Sequence, residues 1–216
     1  MVDHTNTDIL RFVQIEKVIE ETPTIRTILF KDNFSVASMP GQFLMVWIPR
    51  VEELPMSIGI EGIDSENFAA ITVRKYGSGS TALYHKQVGE HIGIRGPYGN
   101  HFSIPKNLRN ALLIGGGTGL VPLVRLFGDL LHEQVQSTLI MGSKTKNEVL
   151  FEHKAQKAVT KNKFEDIRFS TDDGTYGFKG STVDLAESIL LSKRFEIIYT
   201  CGPELMMKEV QRLGEK

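Results

Sequence analysis

Residues 111–133 read ALLIGGGTGLVPLVRLFGDLLHE, and the reading of this stretch decides the fold. A short apolar run ends in Gly115, Gly116 and Gly117, and apolar residues then recur at helical spacing. That order describes a buried strand, a tight turn and a helix, the opening of a βαβ unit. Pro122 falls early in the helix, where its missing N–H costs little.

The same rhythm continues toward the C-terminus. STLIMG (137–142), DIRFST (166–171) and FEIIYT (195–200) read as further strands. NEVLFEHKAQKAV (147–159), STVDLAESILL (181–191) and ELMMKEVQRL (204–213) read as helices, the second with Ser181 and Asp184 placed for a capping box. Strands alternating with helices predict a parallel sheet. Toward the N-terminus the punctuation differs. ILRFVQIEKVI, TIRTILFK, FLMVWIP, MSIGIEG, AAITVRKY and HIGIRG are short runs rich in β-branched residues. NFSVASMPGQ, GIDSEN and GSGS separate them as turn segments, a pattern that predicts a closed antiparallel barrel or a sandwich. IPKNLRN (104–110) is the expected seam, giving domains over 8–103 and 108–216.

Composition narrows the function classes. The chain has 216 residues, 41% hydrophobic and 24% charged, with net charge −1 and the two signs interspersed. No basic footprint suits a nucleic acid, and no apolar run is long enough to span a bilayer. With no leader-like N-terminus, the expected location is cytoplasmic. One cysteine, Cys201, excludes an internal disulfide framework and any cysteine-ligated zinc or iron–sulfur site within these residues. No H-E-x-x-H or G-x-S-x-G occurs.

Several segments could carry chemistry. The glycine turn before α-helical spacing offers backbone N–H groups to an anion. It departs from the G-x-G-x-x-G fingerprint, because Leu120 stands where the third glycine belongs and MGSKT (141–145) carries no acidic residue. Read on its own, it is as readily a structural turn. Arg74 and Lys75 precede a Gly77–Ser78–Gly79–Ser80–Thr81 turn that could hold a diphosphate, although taken alone a polar hairpin turn with exposed charges is the favoured reading. Ser57, in PMSIGI (55–60), could bond a ring edge or merely a neighbouring backbone group. STDDGTYGFKG (170–180) follows a strand end, where ligands of parallel sheets bind. Cys201 could be a thiol activated by a helix N-terminus, or a small residue against which a flat ring packs.

The ordered set PMSI, GSGSTAL, IRGPYGN, LLIGGGTGLVP, TDDGTYGFKG and YTCGPELMMKEV resembles the ferredoxin–NADP reductase superfamily. Within it, the set is most similar to the electron-transfer subunits of NAD-linked dihydroorotate dehydrogenases. The resemblance runs from near Ile9 to the last helix. It implies a flavin-binding barrel followed by an NAD(P)-binding α/β domain, and hydride exchange between FAD and NAD(P)H. Pro55, Met56, Ser57 and Ile58 would border the isoalloxazine, with Ser57 near its redox-active edge. Val73, Arg74 and Lys75 would flank the ribityl and adenine side, and Gly79, Ser80 and Thr81 would hold the diphosphate. Gly116, Gly117, Thr118 and Gly119 would meet the nicotinamide nucleotide. Asp172, Asp173, Gly174, Cys201, Gly202 and Pro203 would close its pocket with Met206 behind, and Cys201 would lie where hydride passes. Ser57 and Cys201 are thus the expected catalytic positions. The implied partner is an FMN-containing dihydroorotate dehydrogenase catalytic subunit in a hetero-oligomer of pyrimidine biosynthesis.

Two departures stand out. Leu54 occupies the position where an arginine commonly neutralises flavin phosphate, and Arg50 lies four residues earlier. The resemblance also implies a [2Fe–2S] segment after the CGP helix, and its cysteines are absent from these 216 residues. A truncated version is the favoured reading, and direct transfer from flavin to the partner is the other. The same architecture would also serve a hydrogenase-associated or ferredoxin:NADP oxidoreductase subunit, or a flavin-free regulatory module. Lys144 and Lys146 leave NAD against NADP open.

Overall fold

A computed structural model describes residues 7–154 and 165–215. The chain forms two compact units, Met1–Phe102 and Ser103–Lys216.

The first unit is a closed barrel of six strands in the order β1-β2-β5-β4-β3-β6. These are β1 (Arg11–Thr22), β2 (Ile25–Phe30), β3 (Phe43–Ile48), β4 (Glu52–Ile63), β5 (Glu66–Arg74) and β6 (His91–Tyr98). All barrel neighbours pair antiparallel. The period-2 alternation of a strand fixes which residues enter the barrel. On β3, Leu44, Val46 and Ile48 are buried, and Phe43, Met45 and Trp47 fall on the outer face. Phe30, Ile15, Ile28, Ile58, Ile71, Ile92 and Ile94 complete an interior in which each fully buried side chain contributes about 1.5–3 kcal/mol of transfer free energy.

Two helices interrupt segments that read as turns. α1 (Asn33–Val36) opens on Asp32, whose carboxylate accepts from Ser35 N at 2.9 Å. Arg11 donates to both carboxylate oxygens of Asp32, at 2.9 and 3.0 Å, and to Gly96 O. α2 (Ser78–Tyr84) replaces the expected GSGS turn. Glycine and serine are poor helix formers, but Ser80 Oγ accepts from Gly77 N at 2.9 Å and ties down the first turn. Leu83 and Tyr84 then pack into the barrel core, which outweighs local propensity.

The second unit is a parallel five-stranded sheet in the order β10-β9-β8-β7-β11. Its strands are β7 (Asn110–Gly116), β8 (Gln136–Ser143), β9 (Glu165–Thr171), β10 (Phe178–Lys179) and β11 (Ile197–Cys201). Helices α3 (Leu120–His132), α4 (Thr182–Leu190) and α5 (Glu204–Gly214) lie in this unit. Successive residues of β7 face opposite sides. Leu112 and Ile114 cluster with Leu185 and Ala186 of α4 and with Val210 and Leu213 of α5. The Cβ direction of Gly115 meets Leu120 and Leu123 of α3 on the other side. Helices thus cover both faces, which explains why β7 is apolar at consecutive positions. The capping box at Ser181 and Asp184 is formed, with Ser181 N donating to Asp184 Oδ2 at 2.9 Å and Asp184 N to Ser181 Oγ at 3.1 Å. Of the expected helix over 147–159, Lys146–Glu148 form a short 3-10 turn, residues 152–154 are helical, and residues 155–159 lie outside the described residues. β10 is a two-residue strand that no apolar run announces.

Candidate functional site

The barrel carries an opening between β4 and β5. The two strands pair from Ile58↔Ile71 onward. On the Glu52 side of that pair, β4 is laddered to β3 alone and β5 to β2 alone. The backbone edges facing one another across the gap therefore have no strand between them, and buried or half-buried backbone groups there need partners of another kind. α2 packs against both strands.

The sequence-derived residues divide around this opening. Pro55 and Ser57 project to the outer face of β4, opposite Met45 and Phe43 of β3. Met56 packs against the core, and Ile58 and Val73 are fully buried in it, so only their backbone faces outward. Leu54 also packs on the barrel core. Arg74 and Lys75 are exposed at the end of β5, with Lys75 Nζ 5.2 Å from the centre of the Tyr84 ring. Gly79, Ser80 and Thr81 belong to the first turns of α2 rather than to a free loop. The Ser80 hydroxyl is committed to the backbone of Gly77 and Tyr76. One neighbour escaped sequence reading: Glu52 lies flush on Gly79, and Ser78 Oγ donates to its Oε1 at 3.3 Å. The charge next to PMSI was its only signal. Glu53 pairs with Arg95 through contacts of 2.9 and 2.5 Å, holding the guanidinium above its ordinary range.

The second unit has a topological switch point. β8 lies on one side of β7 and β11 on the other, so the connections leave β7 in opposite directions. Ligands of open α/β sheets bind at such a point, beyond the carboxyl ends of the strands. Here those ends are Gly115–Gly116 and Cys201, which pair across the ladder at Gly115↔Cys201. Gly117 adopts φ 56°, a left-handed conformation that starts the 3-10 turn Gly117–Gly119 leading into α3. A Cβ on Gly119 would stand 2.5 Å from Cys201 O, and one on Gly202 would stand 2.8 Å from Met206 Cε. Thr200 Oγ1 donates to Ile114 O at 3.0 Å and fastens the two strands just below the crevice. The structure thus brings together Gly116, Gly117, Thr118, Gly119, Cys201, Gly202, Pro203 and Met206.

Asp172, Asp173 and Gly174 sit apart from that group, because they follow β9 and β8 separates β9 from β7. Asp173 accepts from Thr175 N and Oγ1 at 3.0 and 2.7 Å, and these bonds hold its carboxyl below the usual range. Asp172 N and Asp173 N donate to Ser143 O and Lys144 O, so this loop lies over the end of β8.

Cys201 is half-buried, and desolvation raises its pKa above the ordinary thiol value. The thiol is the neutral form at physiological pH, suited to contact with a flat ring rather than to nucleophilic attack. Iodoacetamide at pH 8 is therefore expected to modify Cys201 about tenfold more slowly than an unstructured cysteine peptide. Intact-mass kinetics read this directly, since the chain has one cysteine. A rate equal to the peptide's would show that burial does not hold the thiol back, and a faster one would mean an activated thiol. Among the described residues, no group of three or more histidine, cysteine, aspartate or glutamate side chains is arranged to hold a metal ion. No described helix is long and apolar enough to cross a membrane.

Comparison with known proteins agrees with this geometry. Residues 113–212 match the oxidoreductase NAD-binding domain family. Among solved structures, the chain superposes with a TM-score of 0.82 and 23% identity on an NADH-dependent reduced ferredoxin–NADP oxidoreductase, covering 94% of this chain and 72% of that one. It superposes with a TM-score of 0.77 and 16% identity on the cytochrome b5 reductase domain of Ulva prolifera nitrate reductase, covering 97% and 95%. These two likenesses establish the fold. Sequence relatives go further. A probable dihydroorotate dehydrogenase B (NAD+) electron transfer subunit of Methanocella arvoryzae is 41% identical over 91% of this chain and 70% of its own length. The protein of the same description from Pyrococcus furiosus is 33% identical over 95% and 75%. Identity at this level, sustained through both the barrel and the parallel-sheet unit, means that the chain belongs to the family of dihydroorotate dehydrogenase B (NAD+) electron-transfer subunits.

Proposed function

We propose that this chain exchanges a hydride between NAD(H) and FAD, and relays the electrons to or from an FMN-containing dihydroorotate dehydrogenase catalytic subunit. The observation that carries the reading is the presence, in one chain, of two sites built mainly from backbone. One is the opened β4–β5 edge beside α2, and the other is the β7–β11 switch point. Both suit flat, phosphate-bearing nucleotides better than they suit acid–base chemistry.

The residues of the barrel fit FAD in two respects. The unpaired edges of β4 and β5 offer donors and acceptors to the rim of a ring, with Ser57 on the outer face beside Pro55. Gly79 has no side chain where a phosphate would approach the first turn of α2, and the group filling that space is the flexible side chain of Glu52. FAD, when bound, supplies an isoalloxazine that accepts a hydride and gives up electrons singly or in pairs. The chain's own contribution is to bind, orient and exclude water. Ser57 and the backbone of Met56 and Ser57 would orient the ring edge, and Val73–Lys75 would flank the remainder of the cofactor. In the second unit, Gly116–Gly119 would receive the nucleotide's phosphates at the start of α3. Cys201, Gly202, Pro203 and Met206 would seat the nicotinamide, and no residue need hold a transferred proton. The NAD+ in the relatives' name favours NAD over NADP. An iron–sulfur cluster held by four cysteines has no ligand set in these residues, so none is assigned to them.

The test is the visible absorption spectrum of the purified chain, before and after anaerobic addition of NADH. Flavin bands that bleach on addition are the expected result. A chain that takes up no flavin from excess FAD would overturn the reading.

A further inference from the structure

We propose that Glu52 is an internal competitor for the phosphate end of the flavin site, and that FAD binds only by displacing its carboxylate. The inference rests on the flavin reading above and deepens it. At the start of β4, Glu52 lays its Cγ, Cδ and Oε1 against Gly79, all closer to the position of a missing Cβ than any real side chain could stand. Ser78 Oγ donates to the same carboxylate. The absent side chain of Gly79 leaves room beside a hydroxyl, and the Glu52 carboxylate that fills the room accepts a long, 3.3 Å hydrogen bond from it. The anion in that space is Glu52.

The residues around it are already engaged in other contacts or stand at the end of β5. Of the three residues that lead into Pro55, Glu52 lies on Gly79, Glu53 is paired with Arg95, and Leu54 packs into the barrel core. Lys75 rests over the Tyr84 ring, and Arg26 lies 4.5 Å from the centre of the same ring while pairing with Glu20. The charged group in direct contact with Gly79 and Ser78 is therefore a carboxylate, while Arg74 and Lys75 are exposed at the end of β5. The obstacle is the end of a flexible side chain, so it moves at small steric cost. The electrostatic cost remains, since like charges a few ångströms apart at a protein surface are worth about a factor of ten in affinity. That cost falls on phosphate-bearing flavins and spares riboflavin, which has the same ring and no phosphate.

Binding of FAD and of riboflavin to the full chain, followed by flavin fluorescence, separates the possibilities. Glu52→Gln keeps a hydrogen-bond acceptor for Ser78 and removes the charge. It is expected to tighten FAD about tenfold and to leave riboflavin within about twofold of the unmodified chain. FAD affinity that is unchanged or weaker in Glu52→Gln would overturn the role of Glu52 while leaving the flavin reading intact. Equal tightening of both flavins would overturn it too, since the effect would then not be directed at phosphate. If neither form binds either flavin, the flavin reading itself fails, and this inference fails with it.

Discussion

Gly119→Ala is expected to destabilise the second unit by about 3 kcal/mol and to lower NADH oxidation about a hundredfold. The cause is steric. A methyl at this position would stand 2.5 Å from Cys201 O, 2.6 Å from Cys201 C and 2.7 Å from Gly202 Cα. All three are backbone atoms of β11 and the turn after it, held by the ladder to β7, so none can step aside as a flexible side chain would. The two sides of the switch point must separate, and that crevice is where the nicotinamide nucleotide would sit. Gly117 provides the comparison within the same turn. A Cβ there meets nothing within 4 Å, but φ is 56°, so Gly117→Ala should cost about 1–2 kcal/mol through backbone conformation alone. Thermal unfolding and NADH oxidation with an artificial acceptor measure both. A Gly119→Ala protein as stable and as active as the original would mean that the close approach of β7 and β11 is not required.

Asp32→Ala should destabilise the barrel by about 3–5 kcal/mol, read as a lower urea midpoint in tryptophan fluorescence. The Asp32 side chain is 7% exposed and that of Arg11 17%, so the pair is largely withdrawn from water. Removing the carboxylate leaves the Arg11 guanidinium without its charge partner in that environment, and its remaining bond to Gly96 O cannot replace an anion. The same substitution deletes the acceptor for Ser35 N and Ser35 Oγ that starts α1, a loss of about 1 kcal/mol for a helix cap. Trp47 is the single tryptophan and lies on β3 of this barrel, so its emission reports on this unit. A midpoint shift corresponding to less than about 1 kcal/mol would show that the pair contributes no more than an exposed one.

The apolar periodicities carried much of the architecture. Six short alternating runs became the six barrel strands, and ALLIGG, STLIMG, DIRFST and FEIIYT became β7, β8, β9 and β11. Such patterns are legible because the period of burial is a local property of the chain. The glycine turn at 115–119 was legible for the same reason, since a strand–turn–helix is contiguous in sequence. Helix α2 was not, because its stability comes from Leu83 and Tyr84 entering a core built by distant strands, while its first residues read as a turn. Nor were the partners of single charges. Arg11 meets Asp32 from 21 positions away, and Arg95 meets Glu53 from 42.

The sequence by itself determined the two kinds of unit, the strand and helix order within each, and the glycine and cysteine residues that end β7 and β11. Only the tertiary structure decided that β11 returns to the far side of β7, which makes a crevice of Gly116–Gly119 and Cys201–Pro203 and leaves Asp172–Gly174 two strands away. It alone opened β4 from β5 and set Glu52 on Gly79. Local pattern fixes which face of an element is buried. Which elements become neighbours, and which charges then meet, follows from packing between residues far apart in the chain.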